Sequence, residues 1–204
     1  MLVVLALALP LLAAAQVPAR TLGVNWRDGV PYLDFSARDL ATTAVRRKLA
    51  SALPQRIVMR VAAFRSADNA PVALVPLSCR VTYQIMDERY RVQVTTATGA
   101  STELIPTLDG VVRRCLVVRG IQLGPRSTWV AHHGERVYFA VLIEFNPLSA
   151  HTVEQIRRWL ASSGGGPAQG EAFFGSFVSL FASRHIAGSA EHALRFRSQP
   201  VRVP

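Results

Sequence analysis

Two adjacent imidazoles, His132 and His133, are followed after Gly134 by the carboxylate of Glu135, and these are residue types that hold metals or move protons. Neighbours on a strand point to opposite faces, so only a turn would bring the three together. The chain has no H-E-x-x-H segment and no Cys/His cluster to complete a ligand set. An exposed polar loop is therefore the expectation here, with neither metal nor cofactor. Serine chemistry has no better footing: G-x-S-x-G is missing, and Gly175-Ser176 sits between phenylalanines, where small residues suit close helix packing. The carboxylates Asp34, Asp39, Asp109, Glu144 and Glu154 are scattered without a signature. Glu144 interrupts an apolar strand; alternation is expected to turn it toward water, and a buried Glu144 would need an Arg partner or a raised pKa. Gly164-Gly165-Gly166 follows no strand and precedes no Lys-Ser/Thr pair, so it does not read as a phosphate loop.

The two cysteines, Cys79 and Cys115, are not in a C-x-x-C arrangement, which argues against redox catalysis. They either pair, closing a loop worth about 3 kcal/mol in the chain-entropy account, or remain buried thiols. The formal charge of +10 rests almost wholly on arginine, since Lys48 is the one lysine. Such a surface attracts anionic lipid, glycan or protein. Arg46-Arg47-Lys48, Arg113-Arg114 and Arg157-Arg158 lack the interleaved aromatics of a single-strand binding platform, and no nucleic-acid partner is expected. The remaining feature is a Phe-rich segment, Ala172 to Ala187. Phe173, Phe177 and Phe181 with Arg184 suit a helix that is buried, or that meets an apolar ligand, a partner or a membrane surface.

The elements that must position these residues are mostly strands. Leu22 to Trp26 and Tyr32 to Phe35 flank Arg27-Asp28-Gly29, a hairpin turn signal. Ser36 is expected to cap a helix carrying Leu40, Ala44, Val45, Leu49 and Leu53, ended by Pro54. Ile57 to Phe64 and Val72 to Ile85 read as strands, and the alternation from Arg80 to Thr96 about Asp87-Glu88 predicts an antiparallel hairpin. Pro76 marks an irregularity or an edge. A polar turn is expected at Thr98 to Thr102, then a helix from Leu104 to Cys115, with Thr107 as an alternative cap for a shorter one. Val117 to Leu123 and Val137 to Phe145 are strands joined through Gly- and Pro-containing turns, the second of them central. Beyond Asn146-Pro147, Thr152 and Gln155 form a capping box for a helix over Val153 to Ala161, residues 164–170 form a flexible Gly-rich loop, and Ala193 to Val203 is a closing strand. The sum is an α+β fold, mainly antiparallel sheet or sandwich with about four helices in the connections.

Residues 1–15 are uncharged and apolar and end in Ala13-Ala14-Ala15, the pattern of a secretory signal peptide. Residues 16–204 then form one domain, with no transmembrane helix once the leader is removed, and the location is periplasmic or extracellular in a bacterial envelope. Several segments, the leader, PYLDFSARDL, VRRKLASALPQRIVMRVAAFR, VTYQIMDERYRVQV, TLDGVVRRCL and VYFAVLIEFNPLS, are together similar to the uncharacterised family of proteobacterial exported proteins called domain of unknown function 4390. The resemblance implies an envelope location and no known activity, and transfers no catalytic residue. The leading expectation is a non-catalytic module that binds an envelope protein, a glycan or an anionic lipid surface. A carrier of lipid or another apolar ligand using the Phe-rich helix, and a hydrolase or isomerase with an acid/base site near Glu144 or His132-His133, are the alternatives.

Overall fold

A computed structural model of the chain describes residues 17–147 and 190–204. The leader, the helix expected at 153–161, the Gly-rich loop and the Phe-rich segment with Phe173, Phe177, Phe181 and Arg184 lie outside the described residues.

Among the described residues the fold is mostly antiparallel sheet with three α-helices and a short 3-10 turn. Strands β1 (Gly23–Arg27) and β2 (Val30–Ser36) form the hairpin foreseen at Asp28-Gly29, whose left-handed φ values of 50° and 75° suit Asp and Gly. The 3-10 turn η1 (Arg38–Leu40) and helix α1 (Thr43–Leu49) lead into β3 (Gln55–Arg65), β4 (Pro71–Gln84), β5 (Arg89–Thr96) and β6 (Gly99–Ile105). Helix α2 (Leu108–Leu116) runs directly into β7 (Val117–Gln122), and α3 (Arg126–Val130) precedes β8 (Arg136–Pro147). Strands β9 (Ala190–Arg197) and β10 (Val201–Arg202) complete the set. The sheets have orders β1-β2-β7 and β10-β8-β3-β4-β5-β6, with β9 also on β8. Strands β9 and β10 share one edge of β8 and are separated by Ser198-Gln199-Pro200, where Ser198 stays tied to Phe139 through main chain (2.7 Å) and hydroxyl (2.9 Å).

Alternation builds the main core between the two sheets. Ile57, Met59, Val61 and Ala63 of β3 and Val137, Phe139, Val141, Ile143 and Phe145 of β8 face Leu33 and Phe35, with Val45, Val112 and Leu116 from the helices. The opposite face of β3 and β8 carries a smaller buried cluster, Ala62, Phe64, Ala140 and Leu142. Burial on both faces is why β8 reads as a near-continuous apolar run.

Three local expectations are corrected. Ser36 does not cap a helix, because β2 continues through it and the Ala37 amide donates to the Leu116 carbonyl at 2.8 Å. Thr42 caps α1 instead, and Leu53 is left 70% exposed beyond the helix. The polar stretch from Gly99 is a strand; pairing with β5 outweighs a composition that has no apolar alternation. Leu104 therefore belongs to β6, and α2 is the shorter helix capped by Thr107, whose hydroxyl accepts from the Gly110 amide at 3.1 Å. The connection after β7 contains the unforeseen helix α3, held by buried Trp129, whose indole N–H donates to the Leu123 carbonyl at 2.5 Å.

Candidate functional site

Among the described residues, the sequence-marked polar side chains do not converge on a single site. The His132 Nδ1 lies 3.0 Å from Glu135 Oε2 in the turn before β8, and Glu135 is also 3.9 Å from Arg65. His133 turns instead to the carbonyl of Pro204, at 2.7 Å. No cluster of three metal-ligating side chains occurs among the described residues. Glu144 lies toward the far end of β8, buried with only 4% exposure, which overturns the expectation that it faces water. Its carboxylate pairs with Arg60, whose register partner, Leu142, is two residues from Glu144, so the two charges meet diagonally across β3 and β8 on the face away from the main core. That pair supplies the buried Glu144 carboxylate with a charged partner.

Cys79 and Cys115 form a disulfide with their Cα atoms 5.7 Å apart. The bond joins the middle of β4 to the last turn of α2, two residues before β7 begins. It thereby fixes the start of β7 against the seven-stranded sheet, although the two strands are not hydrogen-bonded to each other.

Between them lies a cleft of about 670 Å³. Its walls include Leu74, Val75 and Leu77 of β4, Val94 of β5, and all of β7 from Val117 to Gln122, with the disulfide and Met59 also lining it. A strand that presents a face contributes alternate residues; six consecutive ones mean that β7 presents its edge. That edge has no strand partner among the described residues, because β7 is the last strand of its sheet. The opposite wall is also an edge. β5 pairs with β4 only from Ser78 onward, so Pro71 to Leu77 lack a described partner on that side. Pro76, expected at an irregularity or edge, falls in this unpaired stretch, where its missing N–H costs no ladder bond.

Main-chain hydrogen bonds show which groups face the cleft. The Leu116 carbonyl accepts from Ala37, and the Leu123 amide donates to the Pro31 carbonyl at 3.1 Å. Antiparallel alternation then turns the carbonyl of Val117 and the amides and carbonyls of Arg119 and Gln122 away from β2. Arg119 and Gly120 together oppose the single residue Asp34, a β-bulge in which Gly120 takes φ 61° and donates to Asp34 Oδ1 at 2.6 Å. The bulge leaves Arg119 exposed at the cleft, with no side-chain partner among the described residues. Arg114, also on the lining, is committed to Glu103 at 2.9 Å and Ser101 at 3.1 Å.

A second, smaller hollow of about 180 Å³ lies between η1, α1 and α2, lined by Arg38, Arg46, Asp109, Val112 and Arg113. Asp109 accepts from Arg46 at 2.8 Å, and that bond, with Arg113 and Arg38 nearby, holds its carboxyl below the usual carboxylate range.

No family model, no curated protein and no solved structure matches this chain. The geometry therefore carries the functional reading. Sequence periodicity found the strands that line the cleft but not the cleft, because an edge is defined by which strands fail to pair. Pro76 was the one residue whose type signalled it. The disulfide is consistent with an exported protein, and no helix among the described residues is long and apolar enough to cross a membrane.

Proposed function

We propose that this chain is an exported, non-catalytic binding module of the bacterial envelope, and that its ligand seats in the cleft between β4 and β7. The observation that carries the reading is an apolar recess of about 670 Å³ whose rim bears Arg119, a guanidinium with no side-chain partner among the described residues. Recesses of this size with a few placed polar groups are the usual form of a ligand site. The leader and the disulfide support the envelope location. An apolar-ligand carrier is the second reading, favoured by the aliphatic lining; Phe173, Phe177 and Phe181, on which the sequence based it, lie outside the described residues.

Titration with anilinonaphthalene sulfonate, an apolar anion, tests the site. Dye fluorescence should rise while amide resonances of Val75, Leu77, Val94, Val118 and Ile121 shift, and Leu77→Asp should remove both effects. Shifts confined to other parts of the molecule would overturn the assignment of the ligand to this cleft.

A further inference from the structure

Resting on the reading of the cleft as a ligand site, we propose that its occupant is an extended segment of a partner protein. The segment adds to the edge of β7 that has no strand partner among the described residues, as a fourth strand of the β1-β2-β7 sheet, with an acidic side chain on Arg119. The main chain supplies the first reason. Val117, Arg119 and Gln122 turn hydrogen-bonding groups into the cleft, and an unpaired strand edge is a template for another strand. The apolar walls supply the second, since the inward side chains of an added strand would meet Val75, Leu77 and Val94. Charge supplies the third: the bulge projects Arg119 without a partner among the described residues, on a chain of net charge +10.

Neither of two competing edges fits as well. Pro76 removes an N–H from the unpaired part of β4, which blunts that edge. Strand β6 ends its sheet, but Gly99 to Leu104 are exposed on both faces and offer an incoming strand no apolar recess. Strand β7 alone among these three combines open main-chain groups with apolar walls. An acyl chain would use the walls and leave the β7 amides unpaired, and it becomes an outcome of the test.

The probe is a capped peptide, Val-Glu-Val-Glu-Val-Glu-Val, one residue longer than the 6 of β7, added to the full mature chain. Shifts of the cleft amides should locate it, and the Arg119→Glu variant should bind it about 5-fold more weakly, as expected for an exposed ion pair. The same variant should bind the Val-Lys repeat better than the unaltered protein does. Two further peptides carry N-methyl groups on all Val amides or on all Glu amides. Only one set of amides faces β7, so one peptide should lose about 10-fold or more in affinity and the other should keep it. Equal binding of both methylated peptides would overturn strand addition. So would binding of dodecanoate or of the sulfonate dye in the cleft without any peptide binding, although the cleft would then remain a ligand site. Absence of every probe from the cleft would overturn both readings, and self-association that occupies β7 in place of the peptide would overturn the partner-strand assignment.

Discussion

At the scale of single residues, the most consequential pair is Arg60 and Glu144. A carboxylate with 4% exposure is costly to leave charged without a partner. Arg60 supplies that partner from the adjacent strand, itself only 20% exposed at the side chain. Removing one member strands the other, whereas removing both exchanges a desolvated ion pair for apolar contact with Ala62, Ala140 and Leu142, which occupy the same face. Arg60→Ala should therefore lower unfolding free energy by about 3 kcal/mol. Replacing both residues with leucine should recover most of that loss in urea denaturation. Equal destabilisation by the double variant would mean that the pair contributes net attraction and that Glu144 is more than a satisfied buried charge. Gly110 offers a purely steric counterpart: a Cβ there would lie 2.6 Å from Ile105 Cγ2, where α2 closes on β6. Gly110→Ala is expected to cost about 1–3 kcal/mol through overpacking, despite alanine's higher helix propensity, and thermal melts would show a lowered midpoint.

At the scale of elements, β7 is positioned by what precedes it. Helix α2 ends where β7 begins, and the disulfide ties its last turn to β4. Replacing both cysteines with alanine releases a closure over 36 positions, expected to cost about 3–4 kcal/mol. The loss should be larger than that of Thr107→Ala at the other end of the helix, about 1 kcal/mol for an N-cap. Because the bond flanks the cleft, the cysteine-free protein should also show faster amide exchange in β7 than in β3 or β8; uniform acceleration would contradict a local clamp. These elements differ in how far the sequence announced them. β3, β8 and the β4–β5 hairpin were legible because alternation or unbroken apolar runs reflect what each face touches. β6 was not, because an exposed edge strand has no buried face to imprint a pattern, and its identity is set by β5. Ser36 and Thr42 are both competent caps; what decided between them was the pairing of β2 with β7, a contact between residues about 80 positions apart that no local window contains. The cleft has the same origin, being the space left where β5 stops short along β4 and β7 has no described outer neighbour.

At the scale of the whole molecule, charge governs the response to acid. Asp39, Asp68, Asp109 and Glu191 each have their pKa lowered, chiefly through side-chain hydrogen bonds from Arg20, Arg65, Arg46 and Lys48. Some of these pairs join segments distant in sequence. Lys48 of α1 meets Glu191 of β9 at 2.6 Å, and Arg20, stacked 4.7 Å from the Phe196 ring, holds Asp39 of η1. A carboxyl with a depressed folded pKa stabilises the fold above its unfolded value, about 4, and that stabilisation is lost as pH falls through the folded value. Acid also removes the negative charge of 13 carboxylates, leaving 23 Lys and Arg to repel one another. Both effects carry the same sign, so the urea midpoint should change little from about pH 7 to pH 5 and drop below about pH 4. Asp39→Asn separates them. It removes one specific pair and barely alters the global field, so the variant should be less stable at neutral pH and converge on the unaltered protein in acid. A constant difference between the two across that range would show that Asp39 acts through neutral hydrogen bonding, and a curve for the unaltered protein that stays flat below pH 4 would show that these pairs tie elements together without contributing stability.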